Sequence, residues 1–203
     1  MSFYQSFLVN TGAQIILPLE EDTASVVNVG MLGGAVTGVH VDTQNQQASM
    51  INDADFSMRY KPDSYTNVTS STDFSLGTIC FKLTLDLLDE DICTIYNSTV
   101  PNSEVLFTIV NGNVSIVNIN ETIDTGIQLS LGVHYHLCFD YDGLNLRVYG
   151  EGLLLRTYPY TLAASTFNKL DISSINPVSL DHLVDNIGDR LIDSPSGSQL
   201  VGS

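Results

Sequence analysis

The segment HYHLCFDYDGLNLRVYGEGLLLRTY, residues 134–158, leaves this chain little choice of secondary structure. Tyr135, Leu137, Phe139 and Tyr141 alternate with His134, His136, Cys138 and Asp140, and a period of two puts one apolar row on one face of a strand. Asp142-Gly143 interrupts the run, Leu144, Leu146 and Val148 resume it, and Gly150-Glu151-Gly152 turns the chain into LLLRTY. Turn residues of this kind tolerate the backbone angles of tight hairpins. The segment is therefore predicted to be a three-stranded meander in which each leg carries an apolar row to be hidden against a second sheet.

Other stretches follow the same grammar. FSLGTICFKLTLDLL puts Ile79, Phe81, Leu83 and Leu85 on one face. EVLFTIVNGNVSIVNI sets Asn111-Gly112 between two alternating runs, the signal for a type I′ hairpin. ADFSMRY alternates Phe56 and Met58 against Ser57 and Arg59. SFLVN, QIILPL and ASVVNV read as early strands before the glycine-rich GMLGGAVTG, with Pro18 at an edge or bend. The polar stretch from Lys61 to Asp73 reads as a long loop, and TLAASTFNKLDISS as a short helical turn or irregular link before VSLDHLVDNI. Helical periodicity is nearly absent, so the fold class is all-β, a two-sheet antiparallel β-sandwich. The expected organisation is an N-terminal arm or edge strand over 1–13, a single sandwich domain over 14–193, and a flexible polar tail over 194–203.

Charge excludes some partners. Against 23 acidic residues the chain has 7 basic ones, a net charge of -16 that repels nucleic-acid phosphate and anionic lipid surfaces. No apolar run is long enough to cross a bilayer as a helix. The 3 cysteines, Cys80, Cys93 and Cys138, are widely spaced and odd in number, so each is expected to be a small buried apolar side chain and not part of a disulfide framework or zinc site. MSFYQSFLVN lacks the basic-then-apolar order of a secretory signal. On that ground the sequons at Asn67, Asn97, Asn113 and Asn120 are discounted as glycosylation sites.

The order DFSLGTICFKLTL, LFTIVNGNVSI, GVHYHLCFDYDGLNLRVYGEGLLL and LDHLVDNIGDRL resembles the concanavalin A-like, laminin-G-like jelly-roll superfamily. Gly132, His136, Tyr141, Asp142, Gly143, Leu146, Tyr149 and Gly152 match its central pattern, and IILPLEEDT followed by GMLGG is similar to its opening. In that family an N-terminal strand pairs near the C-terminal one. The chain departs from the pattern in having no tryptophan, with His134 where the family usually has Trp, and in carrying Glu151 where the turn usually has Asn. These departures point to a divergent viral or phage relative.

The resemblance also implies where to look for chemistry. Glucanases of this fold use a Glu-x-Asp-x-x-Glu strand; here Glu20-x-Asp22 is followed by Ser25, so no catalytic residues are expected and the chain is read as not an enzyme. Calcium is the ion the family implies, and DLLDEDI offers Asp86, Asp89 and Asp91 as candidate ligands, although a solvated turn explains them equally; no other cofactor is expected. His134 and His136 share a strand face, yet with no third ligand nearby in sequence they read as packed sheet residues. Among the tyrosines, Tyr65, Tyr158 and Tyr160 look exposed and are the candidate sugar-stacking platforms.

The functional expectation is a non-enzymatic structural or binding module. Its first form is a bacteriophage virion component, a capsid decoration or tail-associated protein that contacts other virion proteins or itself as a homo-oligomer, a trimer for instance. The alternative is a carbohydrate-binding, lectin-like adhesion module with glycan partners and calcium dependence. The expected location is the virion, or otherwise the extracellular space or a cell surface.

Overall fold

The computed structural model describes residues 15–17, 24–41, 43–48, 56–60, 64–173 and 178–186. The expected arm, the polar tail and the SFLVN strand lie outside these residues. The strands are β1 (Ile15–Leu17), β2 (Val36–Val41), β3 (Gln44–Ala48), β4 (Phe56–Tyr60), β5 (Tyr65–Phe74), β6 (Thr78–Leu85), β7 (Glu90–Tyr96) and β8 (Val105–Val110), followed by β9 (Asn113–Asn118), β10 (Thr122–Gln128), β11 (His134–Tyr141), β12 (Asn145–Gly150), β13 (Leu153–Pro159), β14 (Phe167–Ser173) and β15 (Val178–Asn186). Among the described residues the only helical element is a 3-10 turn at Gly33–Ala35.

The strands form two antiparallel sheets, the two-sheet β-sandwich expected from the alternation. One is eight-stranded, in the order β13-β12-β11-β6-β15-β4-β3 with β1 also paired to β15; the other is seven-stranded, in the order β10-β9-β8-β7-β14-β5-β2. Pairing of β1 with β15, Ile15 opposite Asp185, joins an N-terminal strand to the C-terminal one as the family resemblance implies. Ile79, Phe81, Leu83 and Leu85 of β6 are all 0% exposed, and Leu137, Phe139 and Leu146 face the same interior. Phe81 and Phe139 from one sheet meet Phe107 from the other with ring centroids 4.9 to 5.9 Å apart, an aromatic cluster that locks the two layers together.

Turn chemistry sets the register. Asn111 (φ 51°) and Gly112 (φ 78°) both take the left-handed conformation that a type I′ hairpin requires, so the β8–β9 turn is as predicted. Glu151 (φ 50°) with Gly152 (φ 81°) makes the β12–β13 turn in the same way. Glu151 offsets its strained backbone by accepting the His136 N–H at 2.7 Å through Oε1.

Several expectations need correction. The polar stretch read as a loop holds all but the last residue of β5, a ten-residue strand paired with β2 and β14 on its two sides. Its inward row includes Thr66 and Ser70, so the alternation is real in burial and invisible in hydropathy. TLAASTFNKLDISS likewise ends in β14, an interior strand; a register shift between Phe167 and Lys169 puts Phe167 and Leu170 inward and breaks the period of two. ASVVNV contributes only an isolated bridge from Ser25 to Val39. In the meander the third leg is not hidden: Leu153, Leu154 and Leu155 are 69%, 54% and 36% exposed on edge strand β13, and Leu144 is 76% exposed in the turn before β12.

Candidate functional site

The outer face of the seven-stranded sheet carries a shallow groove of about 480 Å³ lined by Tyr65, Asn67, Thr94, Tyr96, Glu104 and Asp171. Its geometry follows from strand register. Asp171 of β14 lies opposite Asn67 of β5 on one side and opposite Thr94 of β7 on the other, so these three polar side chains form a row across three strands. Tyr65 sits two residues before Asn67 and Tyr96 two residues after Thr94, so both rings share the outward face. The intervening residues Thr66, Val68, Cys93, Ile95, Leu170 and Ile172 all point into the core.

Within the groove Asn67 Nδ2 donates to Asp171 Oδ1 at 2.7 Å. The Tyr96 phenol is held above its usual pKa of 10.0, first by burial, then by the charge of Asp171 and a hydrogen bond to it, and last by the charge of Glu104. Tyr65 remains 38% exposed. Two aromatic rings flanking a row of amide, carboxylate and hydroxyl groups suit a polyhydroxylated ligand with one apolar face. At Gly38 of β2 a Cβ would lie 2.2 Å from the Asn67 carbonyl oxygen, so only glycine lets this edge strand close on β5.

A second, larger groove of about 660 Å³ opens at the sandwich rim between the β5–β6, β11–β12 and β13–β14 connections. The polar groups of Tyr141 and Asp142 are already committed. Asp142 Oδ1 accepts the N–H groups of Leu144 and Asn145, its Oδ2 pairs with Arg147 at 2.8 Å, and the Tyr141 hydroxyl donates to the Gly143 carbonyl at 2.9 Å. That bears out turn chemistry as the role of Asp142.

The three tyrosines singled out from the sequence do not converge. Tyr65 is in the groove. Tyr158 is half-buried, donating its hydroxyl to the Thr125 carbonyl at 3.0 Å where β13 meets β10. Strand β10 is five spacings from β5 in the sheet order, about 24 Å. Tyr160, expected to be exposed, is 3% exposed and rests edge-on against Tyr141, with ring centroids 6.0 Å apart. Burial of its ring displaces it from any sugar platform.

Asp86, Asp89 and Asp91 also serve separate ends. Asp89 Oδ1 accepts the Asn111 N–H at 2.8 Å, and Asp91 Oδ1 accepts the Thr108 hydroxyl at 2.6 Å, ties that brace the β6–β7 turn against the neighbouring hairpin. Asp86 is half-exposed beside them in sequence. Of the sequons, Asn97 is 4% exposed and bonded through Nδ2 to the Thr166 carbonyl, which closes it to glycosylation in the folded chain.

The cysteine expectation is overturned. Cys80 and Cys138 face each other across β6 and β11 with Cα atoms 4.1 Å apart and form a disulfide; Cys93 is buried and stays outside the disulfide. Among the described residues, one group brings three candidate metal-ligating atoms within 4.8 Å of one another, and it is Cys80, His136 and Cys138. The two cysteines stand 58 positions apart in sequence, so no local spacing signals the pair.

Neither a protein-family model nor a curated protein matches this sequence. Solved structures match in fold. The chain is similar to the receptor-binding domain of botulinum neurotoxin type G, with TM-score 0.68 and 12% identity over 94% of this chain and 50% of that one. Trypanosoma rangeli sialidase in complex with sialic acid gives TM-score 0.67 and 11% identity over 98% of this chain and 36% of that one. Domain 4 of AbnA, an extracellular GH43 arabinanase from Geobacillus stearothermophilus solved with arabinotriose, gives 0.63 and 10% over 93% of this chain and 98% of that domain. These likenesses accord with the two-sheet antiparallel β-sandwich fold. The chain spans about half the length of the neurotoxin chain.

Proposed function

We propose that this chain is a non-catalytic carbohydrate-binding module that holds a neutral oligosaccharide in the groove on its seven-stranded sheet. The observation that carries this reading is the row Asn67–Asp171–Thr94 flanked by Tyr65 and Tyr96. Tyr65 supplies a stacking face, while Asp171, Asn67, Thr94 and the Tyr96 hydroxyl offer acceptors and donors to sugar hydroxyls. Asp171 and Glu104 put negative charge in a chain whose net charge is -16, which disfavours acidic sugars such as sialic acid. Support also comes from the arabinotriose-bound domain, which the chain covers almost end to end.

Glycan binding thus replaces the virion role as the leading reading, since the neighbours described above give the virion role no support. Homo-oligomerisation belongs with that earlier expectation and is tested by light scattering. An extracellular or surface location accords with the Cys80–Cys138 disulfide, because such bonds persist in oxidising surroundings. Calcium has no part in the groove in this reading, so chelator leaves binding unchanged.

The test is calorimetric titration with neutral oligosaccharides, arabino-oligosaccharides first, and sialylated ones in parallel, with product sugars followed over the same period. Binding to a neutral ligand without hydrolysis, weakened about tenfold by Tyr65→Ala, is expected (about 1.4 kcal/mol). A broad glycan array with no ligand, or full affinity in Tyr65→Ala, sinks the assignment.

A further inference from the structure

On the outer face of the eight-stranded sheet, Cys80, Lys82, His136, Cys138 and Tyr149 are each less than 9% exposed. Antiparallel register places Cys138 opposite Cys80 and His136 opposite Lys82, while the period of two along β11 puts His136 and Cys138 on the same side. His136 Nε2 lies 3.7 Å from Cys138 Sγ. A disulfide alone needs no imidazole at its sulfur.

We propose that Cys80, Cys138 and His136 are a redox-gated site for a thiophilic d10 metal ion, of which Zn²⁺ is the probe. Zinc accepts thiolate sulfur at about 2.3 Å and imidazole nitrogen at about 2.0–2.1 Å, which in a tetrahedron separates S from N by about 3.5 Å and S from S by about 3.8 Å. The His136–Cys138 pair already stands at 3.7 Å, and all three ligand atoms lie within 4.8 Å of one another. Loading requires only that the Sγ atoms part by rotation about their Cα–Cβ bonds once the disulfide is reduced. Three protein ligands leave the fourth position for water.

Disulfide and ion are mutually exclusive occupants of the same sulfurs. Reduction by a dithiol delivers two electrons and two protons to the S–S bond, giving two thiols while the reductant closes to its own disulfide. Binding Zn²⁺ then releases those two thiol protons and forms two Zn–S bonds and one Zn–N bond. In reverse, a small-molecule disulfide such as oxidised glutathione accepts the two electrons from the two thiolates, takes two protons from solvent to leave as two thiols, and expels the ion. This inference is independent of glycan binding, which uses the other sheet.

The experiment compares the full chain, reduced anaerobically and then freed of reductant, with the chain oxidised by glutathione disulfide, both titrated with Zn²⁺ against a chromophoric chelator. The reduced protein is expected to hold a single equivalent that the oxidised protein and a Cys80→Ser/Cys138→Ser variant do not. Co²⁺ in place of Zn²⁺ should give a sulfur-to-metal charge-transfer band. His136→Gln, which still forms the disulfide by thiol count, should weaken Zn²⁺ binding by at least about tenfold. Zinc retention equal in the reduced chain and the double-serine variant, a cobalt spectrum without the sulfur band, or unchanged affinity in His136→Gln would each overturn the proposal. His136→Gln also keeps the test decisive if the serine variant does not fold.

Discussion

The outward rows of the two sheets have the same origin in strand alternation and opposite fates. On the eight-stranded sheet, Thr78, Cys80 and Lys82 of β6 and His136, Cys138 and Asp140 of β11 are buried, and Asp140 is 0% exposed. Its carboxylate accepts the Thr78 hydroxyl at 3.0 Å and pairs with Arg147 at 3.2 Å, while the neighbouring sulfurs are joined. On the seven-stranded sheet, Tyr65, Asn67, Thr94, Tyr96 and Asp171 line an open groove. A closed polar face must satisfy its groups internally, and doing so makes it a cross-link; an open one can leave part of its hydrogen-bonding capacity to a ligand. Mutations on the first face should therefore cost stability and spare binding, and those on the second should do the reverse.

The largest expected effect is loss of the disulfide. Closing a loop over a separation of 58 residues corresponds to about 4 kcal/mol in the chain-entropy account, so Cys80→Ala/Cys138→Ala should lower the urea midpoint strongly while leaving glycan affinity within error. A parallel fall in affinity would break the division between the faces. Next comes Arg147→Ala, which takes the guanidinium away from the buried Asp140 carboxylate. About 3 kcal/mol of destabilisation is expected by equilibrium unfolding. A cost under about 0.5 kcal/mol, the range of ordinary surface changes, would mean the closed face is less sealed than its burial indicates.

How much of this was legible in the sequence differs between the two faces for a physical reason. The core rows of β6 and β11 were readable because Ile79, Phe81, Leu137 and Phe139 alternate with polar neighbours, and Asn111-Gly112 declared its hairpin. Strand β5 was not, because Thr66 and Ser70 fill its inward row, and β14 was not, because its register shift disrupts the period. The exposed leucines of β13 read as core because hydropathy does not reveal which strand ends at a sheet edge. Both candidate sites are assembled across strands: Asn67, Thr94 and Asp171 meet only through β5–β14–β7 pairing, and Cys80 meets Cys138 only through β6–β11 pairing. Of the residues that line the groove, Tyr65 is the one singled out from the sequence, because it stands in a polar stretch where an aromatic ring has little else to cover it.

On the open face, Tyr65→Ala should cost less stability than truncating a fully buried ring, about 1 kcal/mol, since 38% of the residue stays exposed in the folded chain. Tyr96→Phe sharpens the point by removing only a hydroxyl. If that hydroxyl contacts sugar, affinity should fall several-fold, with a loss of about 1 kcal/mol. Because burial and Asp171 hold the phenol above its usual pKa, wild-type affinity should stay level up to pH 10.0 and decline only beyond it. A decline beginning well below that would place the titrating group elsewhere in the groove.

Tyr160 tests whether an unmet polar group is tolerated in the interior between the faces. Its hydroxyl is buried with the Asn118 side chain as its polar neighbour but outside full hydrogen-bond geometry, so Tyr160→Phe should lie within about 1 kcal/mol of wild-type stability at neutral pH. Burial raises the phenol far above 10.0, so the folded state keeps the proton that the unfolded chain gives up first. The unfolded state then binds fewer protons, and the associated stability is fully present below about pH 10 and lost as pH rises beyond it, by roughly 1 kcal/mol per pH unit. Urea midpoints at pH 9 and pH 11 should therefore fall further in wild type than in Tyr160→Phe, whose ring has no proton to lose. Equal falls in the two proteins would mean that water reaches the hydroxyl and that the interior beside Tyr141 is wetter than its packing indicates.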